Sequence, residues 1–448
     1  LKHSRLNIHP SEIEGHHPFI LAKAQSRKHV TQNSRPSACK DCISEEGTAS
    51  LVKIAFITPY LPFPPDTGGK IRTFHLAKAL SLHHSVDLFT VHYGSAPSLG
   101  PSLPQIFKRI QMVQLTKPPD SRSRFVRSLI DPLPRVVGHF QTPDAVREIH
   151  QQLSDGAYDL LVVDEICMAS YVEGLRQPKI IMRQKIDSLH YLEIAATQPF
   201  GKERLLQGME ARRLRSFERI STAKFDAGVC CSADDAAVVN QLNPRIPVTV
   251  IGNGVDMDHF VPREEVAGPP TLLYTGTMHY YPNIDAVHFF FKEIHPHLVR
   301  LVPDVRILIV GHEPPPDILE WKRLPGVEIT GSVPDIRPYL ERCTATIVPL
   351  RLGGGTRLKI MESIAAARPV VSTSVGAEGV GMRDREHLLI ADDPEKFAEC
   401  AAELLRDPAL RQQLTSRAQP FVAGRFSWKV LGERFEAMCR KVAEGRTT

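Results

Sequence analysis

The strongest constraint on this chain is a pattern that runs through it twice: short apolar runs rich in Val, Ile and Leu, alternating with glycine-bearing loops and helix-period segments. LVKIAFITP, from Leu51, reads as a buried strand and PYLPFPPDTGGK as a loop. IRTFHLAKALSLHH then reads as a helix with Ile71, Phe74, Leu76, Ala79 and Leu80 at its apolar positions. VDLFTVHY gives the next strand and completes a βαβ unit. YDLLVVDE (158–165), KIIMRQ (179–184), FDAGVCCS (225–232) and VTVIGNG (248–254) continue the series, with a long basic helix between 201 and 222. A second series opens at TLLYTGTM, passes through VRILIVGH, VEITGSV and ATIVPL, and ends at PVVSTS. The predicted fold class is α/β, with two Rossmann-like domains facing each other across a cleft.

The expected boundaries follow from where the pattern stops. Residues 1–50 are rich in His, Ser, Lys and Arg, lack a sustained period, and are expected to be a disordered extension; the leading Leu suggests a fragment or a processed end. The first domain is expected over 51–255, a linker over 256–270, and the second domain over 271–425. Residues 426–448 read as a C-terminal helix packing back toward the first domain. Its stripe of Trp428, Leu431, Phe435, Met438 and Val442 is expected to serve packing.

Composition narrows the function. A chain of 448 residues with 42% hydrophobic and 23% charged residues is ordinary for a globular protein, and a net charge of only +5 implies no field for nucleic acid. No apolar run approaches the roughly 18 residues of a spanning helix and no signal-peptide core opens the sequence, so a cytoplasmic location is expected. Eight irregularly spaced cysteines fit reduced thiols, and Cys39-x-x-Cys42 has no second pair to complete a zinc site. No metal is predicted, since no Asp-x-Asp pair is placed for one, and no cofactor is expected. The first loop lacks Gly-x-Gly-x-x-Gly, so nothing in it asks for NAD; its Gly68 and Gly69 suit bare backbone beside a ligand.

The segment from Leu352 to Gly379 carries the chemical signal. Gly353, Gly354 and Gly355 read as a backbone loop and Thr356 as the N-cap of a short amphipathic helix, with Leu358, Met361, Ile364 and Ala365 as its apolar positions. Arg357 and Lys359 fall in the first turn, where the helix dipole disfavours cations by about 0.3–1 kcal/mol each. A bound phosphate reverses that sign, so glycines, free N–H groups and two cations together read as an anion cradle. A surface helix with two solvated basic side chains fits the same residues.

Taken in order, the Gly68-Gly69 loop, IGNGVD (251–256), YTGTMHYYPNIDAVHFF (274–290), GSVPDIRPYL (331–340) and GGGTRLKIMESIAAARPVV (353–371) resemble family 4 of the retaining GT-B glycosyltransferases, everywhere but in the N-terminal tail. The closest flavour is the bacterial sugar transferases of exopolysaccharide and cell-envelope gene clusters. The resemblance implies a first domain that receives the acceptor and a second that holds the nucleotide-sugar, a UDP- or GDP-sugar. It places Gly68, Gly69, Gly276 and Thr277 near the donor, with Gly276 at the diphosphate. The Ser332-Val333 turn falls at the base, Gly354, Gly355 and Thr356 in the loop, and Glu362 on the ribose. The family's first motif glutamate is Gly354 here, which leaves the sugar open. The basic pair that many members carry after Gly276 is missing, with Arg357 and Lys359 as replacements. A histidine found in many relatives is Gln184, in the stretch Gln184-Lys185-Ile186-Asp187-Ser188.

On that reading Arg357 and Lys359 stabilise the leaving diphosphate, and Asp187, His75 and His279 fit either helpers near the reacting centre or structural or solvated residues. The acceptor is expected to be a sugar or a lipid-linked saccharide. Lys202–Lys224 carries Arg204, Arg212, Arg213, Arg215 and Arg219 among Leu205, Leu206, Met209, Leu214 and Phe217. A second basic stretch holds Arg122, Arg124 and Arg127. A peripheral helix on an anionic membrane fits this pattern, and so does an ordinary helix partly paired with Glu203, Glu210 and Glu218. The rival functions are a silent nucleotide-sugar binder that supports a partner, and an epimerase or hydrolase on the same fold.

Overall fold

The computed structural model of the chain describes residues 51–116, 133–198, 200–262, 268–278, 280–353 and 357–445. Its first sheet is wholly parallel and contains β1 (Lys53–Thr58), β2 (Ser85–Tyr93), β3 (Arg109–Leu115), β4 (Leu160–Asp164), β5 (Lys179–Arg183), β6 (Ala227–Cys230) and β7 (Val248–Val250). They lie in the order β3-β2-β1-β4-β5-β6-β7. The chain thus builds outward from β1 on one side, then returns to place β4 on the other. The C-terminal ends of β1 and β4 form the crevice where the direction reverses.

The strands read as continuous apolar runs because both faces are covered. Ile54 and Phe56 of β1 enter one core, whereas Ala55 and Ile57 enter the opposite one. The C-terminal helix, Trp428–Ala443, covers the first of these faces with Trp428, Leu431, Phe435, Cys439 and Val442. The second face is closed by Ala145, Ile149 and Leu153 of the Pro143–Asp155 helix and by Tyr171. β3 and the Pro143–Asp155 helix are absent from the sequence reading. RIQMVQL is an edge strand that buries only Val113 and Leu115, so its alternation hides it among loops.

The second sheet repeats the plan with β8 (Thr271–Thr275), β9 (Arg306–Val310), β10 (Val327–Ile329), β11 (Ala345–Val348), β12 (Val370–Ser372) and β13 (Leu389–Ile390). Its order is β10-β9-β8-β11-β12-β13, again with parallel pairs and a reversal point between β8 and β11. The expected end of this series at PVVSTS is corrected by β13, which is only two residues long and carries too little apolar sequence to announce itself. The Pro394–Arg406 and Pro408–Phe426 helices join one continuous core with the strands through Phe397, Leu404, Leu414 and Val422.

Two crossings tie the halves together. Val255 bridges to Ser427, with Val255 N–H donating to the Phe426 carbonyl at 2.8 Å. His84, which is buried at the start of β2, meets Glu436 of the C-terminal helix at 3.1 Å. Among the described residues no helix is long and apolar enough to cross a membrane.

Candidate functional site

At the reversal point of the second sheet, β8 ends in Tyr274 and Thr275, and Gly276 and Thr277 turn the chain toward the Tyr281–Phe289 helix. The Gly276 N–H stays in the ladder by donating to the Val310 carbonyl at 3.0 Å, and Met278 N–H donates to His312 O at 2.9 Å. A Cβ on Gly276 would stand 2.9 Å from Asn283 Cγ and 3.0 Å from Lys359 Nζ, so a side chain here would displace both.

Lys359 comes from the Leu358–Ala365 helix, which follows β11. Its ammonium donates to Asn283 Oδ1 at 3.0 Å and to the Tyr274 hydroxyl at 3.2 Å, and it sits 4.2 Å from the centre of the Tyr274 ring. Asn283 in turn donates to Thr277 O at 2.9 Å, locking the turn after β8. Burial, and after it the charge of Arg357, brings the Lys359 pKa down to about 7, with Glu362 opposing. Glu362, one turn further along the same helix, is pushed up to about 7 by burial, with Lys359 opposing. Burial thus brings both Lys359 and Glu362 toward neutral pH from opposite sides.

Arg357 occupies the cap position of that helix, since the helix begins at Leu358; the expectation that Arg357 lies inside the first turn is corrected by one residue. Thr356, expected as the cap, lies outside the described residues with Gly354 and Gly355. The Arg357 guanidinium donates to the Gly353 carbonyl at 2.8 Å and to the Val375 carbonyl at 3.0 Å, and stands 3.9 Å from Glu378. Its side chain is only 6% exposed, and burial lowers its pKa. Arg357 thus stitches the glycine loop after β11 to the turn after β12 while keeping its charge at the sheet edge.

Ser332 and Val333 follow β10 at the far end of the same edge. The Ser332 hydroxyl meets His312 Nδ1, and Val333 is buried against the core. The structure therefore brings Gly276, Thr277, Lys359, Glu362 and Arg357 together at one reversal point, with Ser332 and Val333 further along the edge.

The remaining expected residues belong to the first sheet. Gly68 and Gly69 are not a loop: they open the Gly68–Ser81 helix, with Thr67 as its cap accepting from Lys70 N–H. The Thr67 hydroxyl takes up a first-turn N–H, which moves the helix start forward to Gly68. A Cβ on Gly69 would meet Gln184 Oε1 at 2.3 Å and the Tyr60 hydroxyl at 2.5 Å, so this glycine lets the helix approach β5. Asp187 opens the Asp187–Thr197 helix and faces Arg183 at 3.4 Å and Lys185 at 3.9 Å; burial raises its pKa, with Arg183 opposing most strongly. Gln184 donates to Asp164 at 3.0 Å and to Tyr60 at 3.1 Å. His75 stacks on Trp428, ring centres 4.9 Å apart, and is pushed down to about 4 by burial. His279 lies outside the described residues, as do Cys39, Cys42, Arg122, Arg124 and Arg127.

Sequence reasoning missed Asp164, which ends β4 at the first reversal point, and Glu165, which follows it. In sequence they read as the polar tail of YDLLVVDE. Tyr274 and Asn283 were missed as well, because nothing in one dimension pairs a strand end and a helix turn with a lysine far downstream.

The Lys202–Thr222 helix buries Glu210 and Glu218 on its inner side. Glu218 meets Arg183 of β5 at 2.6 Å, and Glu210 accepts from Arg135 N–H and, at 3.4 Å, from Val136 N–H. Its outer side leaves Arg212, Arg215 and Arg219 exposed, beside Leu205 at 64% and Met209 at 41% exposure.

Residues 269–407, the part of the chain that supplies the cradle, match the family model "Glycosyl transferases group 1". Over 166 residues the chain is 22% identical to an uncharacterized 44.6 kDa protein in the cps region of Klebsiella pneumoniae, covering 35% of this chain and 43% of that one. It is 27% identical over 207 residues to a phosphatidyl-myo-inositol mannosyltransferase of Mycobacterium tuberculosis, covering 43% of this chain and 54% of that one. The chain thus aligns with about half the length of these curated relatives. Among solved structures, Anabaena HepE in complex with UDP and glucose superposes with a TM-score of 0.59 at 14% identity, over 86% of this chain and 99% of that one. The fold is GT-B, as the resemblance implied, with the two Rossmann-like sheets expected from the paired series of strands.

Proposed function

We propose that the protein is a glycosyltransferase that moves a sugar from a nucleotide-sugar, a UDP- or GDP-sugar, to a hydroxyl acceptor with retention of configuration, in exopolysaccharide or cell-envelope glycan synthesis. One observation carries this reading. Two cations lie in the segment that matches the glycosyl transferase model, Lys359 against the bare backbone of Gly276 and Arg357 against that of Gly353. Neither carboxylate within reach fully neutralises them: Glu378 is 3.9 Å from Arg357, and Glu362 is held near a pKa of about 7. A largely buried cation pair of this kind is stabilised by an anion, and a diphosphate supplies one.

The chemistry asks the protein for position and charge. As the bond between the anomeric carbon and the diphosphate breaks, negative charge grows on the phosphate oxygens, and Lys359 and Arg357 are fixed donors for that charge. The acceptor hydroxyl arrives on the same face and gives its proton to the departing phosphate oxygen, so no enzymic base is obligatory. Glu362 is assigned to the ribose and the Ser332-Val333 turn to the base. Gly68, Gly69 and Asp187 are assigned to the facing edge, with residues 51–255 as the acceptor half and 271–425 as the donor half. HepE, by its own description, is held with UDP and glucose, which supports a uridine diphosphate sugar as the first donor to try.

The outward basic side of the Lys202–Thr222 helix supports a cytoplasmic enzyme resting peripherally on an anionic membrane. Glu210 and Glu218 are turned inward, so they leave Arg212, Arg215 and Arg219 as a positive field around exposed Leu205 and Met209.

The direct test is thermal unfolding with UDP, GDP, ADP, CMP, TDP and NAD on wild type and Arg357→Ala. A nucleoside diphosphate at a hundred times its dissociation constant adds about 2.7 kcal/mol. A shift with one diphosphate that weakens in Arg357→Ala supports the reading. Stabilisation by NAD alone removes it.

A further inference from the structure

Beside the cradle stands an aromatic residue that the proposed chemistry leaves unused. Tyr280 holds the cap position of the Tyr281–Phe289 helix, and its backbone is fixed there. Its N–H donates to the Thr277 carbonyl at 3.3 Å, and its own carbonyl accepts from Asn283 N–H at 2.9 Å and Ile284 N–H at 3.3 Å. The Asn283 side chain also holds Lys359 and the Thr277 carbonyl, so one locked turn carries both the ring and the contact to the cation. With its backbone tied on both sides, Tyr280 is nevertheless 50% exposed. Only two side-chain torsions remain free in such a residue, which makes its ring a stiff surface that costs little entropy to use.

The order of loops along the sheet decides what meets that ring. Ser332 and Val333 follow β10, Gly276 follows β8 and Gly353 follows β11, in a sheet ordered β10-β9-β8-β11. A nucleotide-sugar laid along this edge, with its base at Ser332 and its diphosphate at Lys359, carries its sugar past β8 toward Gly353. There a Cβ on Gly353 would stand 3.4 Å from Pro282 Cβ and 3.5 Å from Arg357 Nη1, so the start of the Tyr281–Phe289 helix and the loop after β11 close on each other. Tyr280 belongs to this corner, within electrostatic reach of Arg357 in its own domain and of Glu193 on the Asp187–Thr197 helix of the other. Tyr281, 65% exposed, acts instead on Arg351, which pairs with Asp285 at 2.7 Å.

Building on the transferase reading, we propose that Tyr280 binds the donor's sugar: its ring stacks on the C–H face of a neutral hexose carried on the diphosphate. The hydroxyls of a pyranose lie around its rim and leave C–H groups on its faces, and an aromatic ring is negative on its own face. Stacking of this kind needs no charge on the sugar. Tyr280 takes no part in the breaking bond or in the proton transfer; it holds the ring that the leaving diphosphate releases.

Calorimetric titration of the full chain with UDP, UDP-glucose, UDP-galactose, GDP and GDP-mannose tests this, with the sugar's share read as the ratio of diphosphate to sugar-nucleotide dissociation constants. In Tyr280→Ala and Tyr280→Leu that ratio should fall about three- to tenfold for the sugar nucleotide that wild type binds, while the diphosphate constant stays within about twofold. Leucine keeps bulk at this half-exposed position, so a folding defect of the alanine variant does not decide the test. Tyr280→Phe keeps the ring and should hold the wild-type ratio, and so should Tyr281→Ala, which removes the more exposed neighbour. A wild-type ratio in Tyr280→Leu overturns the proposal, as does an equal fall in Tyr281→Ala or in Tyr280→Phe. A wild type that binds a diphosphate but none of the sugar nucleotides overturns it as well. Binding of neither UDP nor GDP removes the transferase reading, and the proposal with it.

Discussion

The Lys359 ammonium stands 3.0 Å from the place a Cβ on Gly276 would occupy, so the cation and the bare backbone after β8 define a single cradle. Gly276→Ala puts a methyl group into that space, against Asn283 as well. The variant should fold with a loss of about 1–3 kcal/mol from overpacking. It should also lose most of its nucleoside diphosphate stabilisation, because Lys359 must swing away. Thermal unfolding with and without the diphosphate checks both, and a full ligand shift would separate Gly276 from the site.

Lys359 and Glu362 give the cradle a pH signature. The Lys359 pKa falls from 10.5 to about 7 on folding, so between pH 7 and 10.5 the unfolded chain holds the extra proton and stability rises with pH; below pH 7 the penalty is complete. Glu362 rises from 4.5 to about 7, so the folded chain holds the extra proton between pH 4.5 and 7 and stability falls across that window. The pair therefore contributes least near pH 7. A bound diphosphate favours the charged lysine, so binding should take up protons at pH 8 and weaken as pH rises to 9. Calorimetry in two buffers of different ionisation enthalpy reads that uptake, and Lys359→Met should abolish it.

Much of this was legible in one dimension, for reasons that differ by element. Strands buried on both faces, such as β1 and β4, announce themselves as unbroken apolar runs. β3 and β13 do not, because an edge strand needs few apolar residues and a two-residue strand offers no pattern. Arg357 and Lys359 stood out because cations at a helix start conflict with its dipole. Their partners did not: Tyr274 and Asn283 are brought to Lys359 by the β8–β11 crossover.

Beneath the first sheet's edge, Arg183 and Glu218 form a closed pair, with side chains 1% and 0% exposed and 2.6 Å apart. Glu218 also takes the Ser188 hydroxyl, fixing the start of the Asp187–Thr197 helix. Glu218→Ala leaves a buried guanidinium without its main partner and should cost about 3–5 kcal/mol in chemical denaturation. Replacing both partners by apolar residues should recover most of that. A single variant close to wild type would place the pair in water.

The C-terminal helix crosses to the first sheet and is held there by His84 and Glu436 at 3.1 Å, with Arg440 on the same carboxylate at 2.8 Å. Arg440 and His84 hold the Glu436 carboxyl below the usual range against its burial, so its contribution is present above pH 4.5 and is lost as pH falls through the lowered value. Glu436→Ala removes the partner of a buried imidazole and should cost about 1–3 kcal/mol. The loss should be local. Hydrogen exchange in Trp428–Ala443 should accelerate while β8 and β11 stay protected, because their core draws nothing from that helix. Acceleration spread evenly over both sheets would mean that the helix is part of one cooperative unit and not a strap laid across the first.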